Sequence, residues 1–369
     1  MPVATPGQFA GKRVAIIHYW LVGMRGGERV VERLLRLFPH ADIFTHVYDP
    51  GAVSRLIASR PVHTSFINRL PGARRHYQKY LPLMPTALEH LDLRGYDLVI
   101  SSESGPAKGV IAPPDAFHLC YCHSPMRYLW DHYHDYRDNA GRVSRLVMPW
   151  MFRGLRDWDV ASASRVDTIL ANSHFIQRRI RRAWGRLADV VFPPVDVSLF
   201  APVREVEPHY LWVGQMTAYK RADLAVEAFN RLRLPLLMVG DGDQAAALRA
   251  KAGPTIKIVP KLDFASLRRA YATARALVFT AEEDFGIVPV EAMASGRPVL
   301  AYGRGGACDT VAPHKSGLFF GAQTPESLMA GVETMEEWLP HFVPQDAVDQ
   351  AAHFAPERFD AGIMAALPA

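Results

Sequence analysis

The chain has 369 residues, 49% of them hydrophobic and 21% charged, which predicts a folded protein of two domains and excludes disordered, collagen-like and coiled-coil chains. Its net charge of +5 is uneven, because residues 1–195 hold 26 Lys and Arg against 16 Asp and Glu, whereas residues 196–369 hold 16 against 21. A basic first half favours a partner such as an anionic membrane, a phosphorylated substrate or nucleic acid, and charge alone does not choose among them.

The first 11 residues lack the charged head and apolar body of a signal peptide, and no apolar run is long enough to span a membrane. We therefore expect a cytoplasmic protein. Three cysteines are too few for a disulfide framework, which fits a reducing compartment. Cys120 and Cys122 lie in an apolar run, so we expect small core residues there rather than metal ligands.

Strand-like apolar runs alternate with helical patterns along the whole chain, which predicts βαβ units and parallel sheets. In the first half the predicted elements are Arg13–His18, Gly27–Leu37, Leu98–Ser101, Phe117–Cys122, Thr168–Ala171 and His174–Trp184. In the second half they are Tyr210–Val213, Ala222–Leu232, Leu236–Val239, Gln244–Lys251, Ile256–Val259, Leu267–Ala274, Ala276–Thr280, Pro289–Ser295 and Val299–Tyr302.

A proline-rich stretch near Val195 separates the two halves and suits a semi-rigid link. We therefore predict a first domain over residues 1–195 and a second over residues 196–353. Residues 354–369 are predicted to form a closing helix that packs back on the first domain.

A glycine-containing loop follows the first predicted strand, over His18–Glu28. Gly26 and Gly27 would let backbone amides approach an anion at the start of the next helix. The spacing is not that of a dinucleotide-binding loop. A phosphate loop and a simple tight turn are both consistent with this segment.

The most specific pattern lies in residues 282–300, EEDFGIVPVEAMASGRPVL. An acidic loop is followed by a short helix, whose first amides, around Ile287 and Val288, could hold a phosphate. Glu283 lies before this helix, and we place Glu291 in its first turn. Two carboxylates beside an anion site suit a sugar nucleotide, although in isolation the better interpretation of Glu291 is an acidic residue that stabilises the helix start.

Glu283 and Glu291 form the E-x7-E motif of retaining glycosyltransferases, and the segment around them resembles bacterial glycosyltransferase family 4. Further segments occur in the family's order: YCHSPMRYLW from Tyr121, ILANS from Ile169, WVGQMTAYKR from Trp212 and VGDG from Val239. The resemblance covers nearly the whole chain. It implies the α/β fold called GT-B, in which two Rossmann-like β/α/β domains face a cleft, with the acceptor bound mainly by the first and the donor by the second.

The resemblance also implies roles for individual residues of the second domain. Glu283 would bond a hydroxyl of the donor sugar, Gly286, Ile287 and Val288 would lie against the sugar and diphosphate, and Glu291 would bond the ribose. Lys220 matches the lysine that contacts the diphosphate. A cation there suits the chemistry, because negative charge grows on the departing nucleoside diphosphate.

The family often has arginine where this chain has Gln215. Glutamine can donate hydrogen bonds but carries no charge, so either another cation assists Lys220 or diphosphate binding is weaker. Arg221 is the nearest candidate for that cation.

In the first domain, the family places a histidine near the donor sugar and the acceptor, and His123 occupies that position. We expect it to donate or accept a hydrogen bond rather than to act as general base, because the leaving phosphate is thought to take the acceptor proton. His18, at the end of the first strand, either lines the acceptor site or is a satisfied core residue.

Asp241 and Asp243 spell D-x-D, the pattern with which another class of glycosyltransferases binds a divalent cation. Here it follows a strand where this family has a turn, and Asp and Gly are ordinary turn residues. We therefore expect no metal and no other cofactor.

Two basic segments of the first half could meet an anionic lipid surface. One carries Arg74, Arg75 and Lys79 among tyrosines and leucines, and the other is the helix around Arg178–Arg182. A solvated helix face is an equally good interpretation of the second segment. Nucleic acid is a poorer partner, because no binding module for it is recognisable.

These observations predict a retaining, metal-independent glycosyltransferase that moves a hexose onto a polyprenyl-diphosphate-linked saccharide in bacterial envelope or exopolysaccharide synthesis. It would be a cytoplasmic protein, peripheral on the inner face of the membrane. The resemblance to bacterial mannosyltransferases makes GDP-mannose the expected donor. A nucleotide-sugar 2-epimerase of the same fold and a catalytically silent sugar-nucleotide-binding scaffold remain as alternatives.

Overall fold

The computed structural model describes residues 9, 11–131, 133–138 and 141–368, without the side chains of residues 135, 136 and 142–144. This part of the chain forms two compact units. The first unit runs to Pro194 and also includes the chain from Glu357 onward, and the second is Val195–Pro356. Most of the N-terminal segment for which we expect no signal peptide lies outside the described residues.

The first unit alternates strands with helices. Its strands are β1 (Val14–His18), β2 (Asp42–Thr45), β3 (Val62–Thr64), β4 (Leu98–Glu103), β5 (Phe117–Cys122), β6 (Thr168–Ala171) and β7 (Asp189–Val190). Its helices are α1 (Gly26–Leu37), α2 (Arg55–Ala58), α3 (Ala73–His76), α4 (Met84–Glu89), α5 (Arg127–Trp130), α6 (Tyr133–Asp138), α7 (Arg142–Ala163) and α8 (His174–Trp184), with 3-10 turns at Phe66–Arg69 and Tyr77–Leu83.

The second unit repeats this alternation. Its strands are β8 (Tyr210–Val213), β9 (Leu236–Val239), β10 (Ile256–Val259), β11 (Leu277–Phe279), β12 (Val299–Tyr302) and β13 (Gly317–Phe320). Its helices are α9 (Ala222–Leu232), α10 (Ala245–Lys251), α11 (Phe264–Thr273), α12 (Ile287–Ala294), α13 (Ala307–Thr310), α14 (Pro325–Trp338) and α15 (Pro344–Ala352), with 3-10 turns at Val197–Leu199, Ala218–Lys220 and Leu339–His341. The last helix, α16 (Pro356–Ala365), leads back into the first unit.

The sheet of the first unit is parallel and has the strand order β3-β2-β1-β4-β5-β6-β7. Both of its faces are covered, as the continuous apolar runs of its strands require. Ile16 packs with Leu34 of α1 and Phe359 of α16, whereas its neighbour Ile17 packs with Val99 on the opposite face. Strand order reverses between β1 and β4, and in such sheets ligands bind at the carboxyl ends of the strands beside that reversal.

The sheet of the second unit is also parallel, in the order β10-β9-β8-β11-β12-β13. Trp212, Phe229 and Met238 share its main core with Leu300 and Val332. Strand order reverses here between β8 and β11. The loops that leave the carboxyl ends of these two strands are therefore the expected ligand-binding loops of this unit.

Several elements have the bounds that the sequence predicts, among them β5, β6, β10, α8 and α9. Cys120 and Cys122 are fully buried in the core and unbridged, which confirms their prediction as core residues. The helix predicted from Pro289 begins two residues earlier, at Ile287. The sequence analysis did not predict β2, β3, α7, β13 or α14.

No helix in the described part of the chain is long and apolar enough to cross a bilayer.

Candidate active site

Lys220 and Glu283 meet at the carboxyl edge of the second sheet. Lys220 ends the 3-10 turn after β8, and Glu283 lies in the loop after β11. Lys220 Nζ is 2.7 Å from Glu283 Oε1, and the two side chains are 17% and 18% exposed. The hydroxyl of Thr280 donates to the carbonyl oxygen of Lys220 at 2.8 Å, which joins the end of β11 to the lysine loop. The fold thus brings a cation and a carboxylate together from separate parts of the chain.

Gly286 turns the acidic loop into α12. Its φ of +88° lies in the left-handed region that favours glycine, and a Cβ at this position would lie 3.2 Å from the ring of Phe279. The helix begins at Ile287, so the amides of Ile287 and Val288 have no carbonyl partner inside it. Amides without a partner inside the helix, together with the helix dipole, favour an anion at this end.

A second glycine holds the acidic loop against its neighbour. The amide of Gly306 donates to the carbonyl oxygen of Glu283 at 2.8 Å. A Cβ at Gly306 would lie 2.3 Å from Cα of Phe285, so only glycine allows this approach of two backbones. The sequence analysis gave Gly306 no role, because nothing local indicates which loop it touches.

Glu291 lies in the second turn of α12, so the expectation that it sits in the first turn is wrong. It is 8% exposed, and Oε2 accepts a hydrogen bond of 2.8 Å from the hydroxyl of Tyr271, itself fully buried on α11. A residue that far into the helix gains little from the dipole, which falls off after the first turn. The interpretation of Glu291 as a helix-start residue therefore loses its basis, and Tyr271 is a site residue that the sequence did not reveal.

Gln215 and Arg221 flank the lysine loop. Gln215 is exposed after β8. Arg221 has a φ of +53°, and its Nε lies 3.2 Å from Oδ1 of Asp223. The guanidinium therefore already has a carboxylate partner, which any diphosphate would have to displace.

Asp241 and Asp243 are exposed in the turn after β9. Oδ1 of Asp241 accepts a hydrogen bond of 3.0 Å from the amide of Gly242, as expected of a turn residue. Across the described residues, no group of three or more His, Cys, Asp or Glu side chains is placed to hold a metal ion.

In the first unit, His18 and His123 are joined through a serine. Ser102 Oγ lies 3.1 Å from His18 Nδ1 and 2.8 Å from His123 Nε2. These residues come from the carboxyl ends of β1, β4 and β5, which are neighbours in the sheet. Nε2 of His18 lies 3.9 Å from Oε1 of Glu28 in the first turn of α1. His18 is thus fully buried within a polar chain, and the sequence analysis missed Ser102 and Glu28.

Burial and neighbouring groups together set the charges of His123 and Glu28. Burial, and to a lesser extent the neighbouring His18, lower the pKa of His123 to about 3 against the attraction of Glu28, so His123 is neutral at physiological pH. Burial alone would raise the pKa of Glu28, but the nearby ring of His18 and the hydrogen bond from the amide of Arg25 outweigh it, and the net shift is downward. Glu28 is therefore an anion, and His123 offers a neutral ring that can donate or accept one hydrogen bond.

Gly26 and Gly27 open α1 beside these histidines. A Cβ at Gly27 would lie 2.9 Å from the hydroxyl of Tyr19 and 3.2 Å from Cε1 of His18. The second glycine is thus required by close packing. This close contact is a sufficient reason for glycine at position 27, with no need for a bound phosphate. The first amides of α1 nevertheless have no partner inside the helix.

A buried charge cluster lies behind His123. Lys108 forms an ion pair with Asp159 and lies 3.6 Å from Oε1 of Glu103, and all three side chains are fully buried. The indole nitrogens of Trp130 and Trp184 donate to Asp159 at 2.8 and 2.7 Å. Glu103 ends β4, next to Ser102. This cluster therefore supports the strand end that carries the serine between His18 and His123. The sequence analysis did not single out any of these residues.

The segment with Arg74, Arg75 and Lys79 exposes these three cations. Its apolar residues do not all face outward, as the sequence suggested: Tyr77 and Met84 are buried in a core cluster, whereas Leu83 is 43% exposed. The segment therefore presents three cations and one exposed leucine to its surroundings.

Two family models match the chain. The model described as "Glycosyltransferase Family 4" matches residues 24–199, and the model described as "Glycosyl transferases group 1" matches residues 207–337. The first match includes Glu28, Ser102 and His123. The second match includes Lys220, Glu283 and Glu291.

Curated relatives are similar over part of the chain. The "GDP-Man:Man(3)GlcNAc(2)-PP-Dol alpha-1,2-mannosyltransferase" of Xenopus tropicalis is 27% identical over 257 residues, which are 60% of this chain and 51% of the relative. The "GDP-mannose-dependent alpha-mannosyltransferase" of Mycolicibacterium smegmatis is 32% identical over 200 residues, 49% of this chain and 51% of the relative. The matches span about half the length of these relatives.

Among solved structures, a sucrose-phosphate synthase from Thermosynechococcus elongatus has a TM-score of 0.70 at 18% identity, covering 95% of this chain and 97% of that one. At this identity the likeness concerns the fold alone. It confirms the predicted fold class of two parallel α/β sheets.

Proposed function

The chain belongs to the glycosyltransferases described by these two family models, and on that basis we propose that it transfers a hexose from a nucleoside-diphosphate sugar to a hydroxyl acceptor with retention of configuration. The observation that carries the proposal is the Lys220–Glu283 pair beside the first amides of α12. A cation and helix amides suit a diphosphate, and a carboxylate beside them suits a sugar hydroxyl.

In the proposed reaction, the bond between the anomeric carbon and the diphosphate oxygen breaks, and the acceptor oxygen forms a new bond on the same face. The acceptor proton passes to the departing phosphate. Lys220 and the amides of Ile287 and Val288 stabilise the charge that grows on the diphosphate, and Gly286 permits their approach. Glu283 accepts from the sugar, and Glu291 accepts from the ribose.

The charge for this step comes from the protein, so we propose that no metal or other cofactor takes part. Asp241 and Asp243 then serve only as turn residues. Gln215 and Arg221 are secondary donors to the diphosphate, and Arg221 would have to leave Asp223 to act.

We assign donor binding to the second unit and acceptor binding to the first. Within the first unit, His123 would hydrogen-bond an acceptor hydroxyl while Ser102 and His18 fix the orientation of its ring. A neutral imidazole suits an uncharged hydroxyl, because it offers one hydrogen bond without attracting an anion.

The names of the two curated relatives support mannose as the sugar, since both specify GDP-mannose, and one specifies an acceptor linked through diphosphate to dolichol. We propose GDP-mannose as donor and a polyprenyl-diphosphate-linked saccharide as acceptor, in bacterial envelope or exopolysaccharide synthesis. The enzyme would act at the cytoplasmic face of the membrane, with Arg74, Arg75 and Lys79 facing anionic lipid.

Two measurements test this proposal. Thermal unfolding with GDP-mannose, UDP-glucose and ADP-glucose should show a concentration-dependent rise in Tm for the true donor, because a ligand that binds only the folded state stabilises it. Product analysis with a lipid-linked acceptor should then show transfer of the sugar with its α configuration kept, and the rate should persist in excess EDTA.

Specific outcomes would contradict the proposal. Binding of a nucleotide sugar with no turnover would indicate a scaffold, and turnover without acceptor to an epimeric sugar would indicate a 2-epimerase. Loss of activity in EDTA, restored by manganese or magnesium, would refute metal independence and return attention to Asp241 and Asp243.

A further inference from the structure

Helix α7 of the first unit carries apolar side chains on two sides. On one side, Met148, Phe152 and Leu155 are buried with Met126 and Leu129 in a single cluster. Their spacing of four and three residues is that of one helix face. This side attaches α7 to the rest of the unit.

The other side of α7 is apolar and faces solvent. Leu146 and Trp150 are each 78% exposed, four residues apart, and Val147 is 53% exposed. A tryptophan and a leucine side by side on one exposed helix face are costly to leave in water. Contiguous exposed apolar side chains of this kind mark an interaction surface.

The charge around this face is mainly positive. Residues 141–157, GRVSRLVMPWMFRGLRD, include four arginines and one acidic residue, Asp157, which is exposed seven residues after Trp150 on the same side of the helix. Of the arginines, Arg145 and Arg153 are exposed beside the apolar side chains. Apolar residues on a helix with more cations than anions match an anionic bilayer, whose headgroups attract the arginines while its interface accepts tryptophan and leucine.

A second basic surface adjoins α7. Leu81 packs both against the cluster that contains Tyr77 and against the cluster that contains Met148, so the 3-10 turn Tyr77–Leu83 is a neighbour of α7. The exposed cations Arg74, Arg75 and Lys79 belong to that neighbouring segment. They add positive charge near α7, each contributing roughly 1 kcal/mol close to an anionic leaflet.

We propose that the outer face of α7, formed by Leu146, Val147 and Trp150 with Arg145 and Arg153, seats this protein in the headgroup region of an anionic bilayer. The neighbouring segment attracts the membrane electrostatically, whereas α7 provides the apolar contact that the buried Tyr77 and Met84 cannot provide. This inference rests on the proposed function for the identity of the acceptor, but the binding it describes is measured without donor or acceptor.

The test is co-sedimentation of the full-length protein with vesicles of phosphatidylcholine alone and of phosphatidylcholine with phosphatidylglycerol. We expect binding to the anionic vesicles only. The double variant Leu146→Ala/Trp150→Ala should bind them on the order of tenfold more weakly, since it loses most of the apolar area that enters the interface. Its Tm and its nucleotide-sugar-induced shift in Tm should match the wild type, because both side chains are exposed.

Leu187→Ala is the matched control, because Leu187 is 82% exposed near the exposed arginines of α8 in the same unit. It should bind vesicles like the wild type. Equal loss in the control, unchanged binding of the double variant, or equal binding of the wild type to neutral vesicles would each overturn the proposal. Conversion of a wild-type dimer to a monomer by the double variant, with vesicle binding unchanged, would overturn it in favour of a contact between two copies.

Failure of this proposal is distinguishable from failure of the proposed function. Vesicle binding with no nucleotide-sugar binding would refute only the glycosyltransferase activity. Nucleotide-sugar turnover with no vesicle binding would refute only the role of α7.

Discussion

Lys220 and Glu283 form an ion pair across two loops of the second unit, with Nζ and Oε1 2.7 Å apart. Each side chain is more than four-fifths buried, yet each keeps an exposed side. In the absence of a donor, the carboxylate holds the ammonium in place. A diphosphate at the start of α12 could then share the lysine while a sugar hydroxyl donates to Glu283, so one pair can serve both ends of a sugar nucleotide.

Replacing Lys220 with Ala should lower kcat on the order of a hundredfold or more, because a charge that stabilises the leaving group is lost. The free energy of unfolding should also fall, by about 1–3 kcal/mol, because Glu283 stays more than four-fifths buried without its partner. Steady-state kinetics and urea denaturation measure the two effects. The control is Lys257→Ala, at an exposed lysine of β10, which should change neither kcat nor the free energy of unfolding. Wild-type activity in folded Lys220→Ala would show that Lys220 has no part in the mechanism.

Replacing Tyr271 with Phe should raise KM for the donor roughly three- to tenfold and leave kcat nearly unchanged, because Glu291 loses the hydrogen bond that orients it. The matched control is Tyr210→Phe, which removes a 2.5 Å hydrogen bond from tyrosine to Glu336 at the opposite, amino end of the same sheet. Both variants should lose stability, but only the first should lose donor affinity. A similar rise in KM in both would mean that Tyr271 acts through stability alone.

Stability should depend on pH through Glu103. Burial raises the pKa of Glu103 from 4.5 to about 7, and Asp159 opposes the attraction of Lys108. The folded protein keeps a proton that the unfolded chain has released, so the free energy of unfolding contains a contribution that is lost as pH rises from about 5 through 7.

The variant Glu103→Gln has no proton to lose at this position. Its stability relative to the wild type should therefore increase by roughly 1–3 kcal/mol between pH 5 and pH 8. Urea denaturation at four pH values in this interval measures the difference. Asp115→Asn, at an exposed carboxyl group, should show no such trend, and a flat difference for Glu103→Gln would show that Glu103 titrates normally.

Replacing Gly306 with Ala should destabilise the protein by about 1–3 kcal/mol and weaken donor binding, because the new Cβ would lie 2.3 Å from Cα of Phe285 and push the acidic loop away. Gly303→Ala is the control, since its nearest atoms would be 3.5 Å away. Thermal unfolding with and without the nucleotide sugar separates the two effects. Normal donor binding in Gly306→Ala would show that the loop position is not critical.

The elements that local pattern could predict are those with strong, short-range signals. The run Phe117–Cys122 and the helix His174–Trp184 have the predicted bounds, because apolar periodicity and turn residues act within a few positions. Helix α7 was not predicted, because it has apolar residues on two sides and its sequence therefore shows no single hydrophobic period. Strand β13 was missed because four residues between turns carry too little pattern.

The sequence by itself determined the fold class and the presence of a helix start next to Glu283, since both follow from periodicity and from Gly and Pro at the helix ends. Only the tertiary structure decided that Tyr271 holds Glu291, that Ser102 joins His18 to His123, and that Lys108 is buried with Asp159. Each of these contacts joins residues from different elements. Which side chains meet in these contacts depends on the strand order and on how the helices pack. Neither can be deduced from the spacing of residues along the chain.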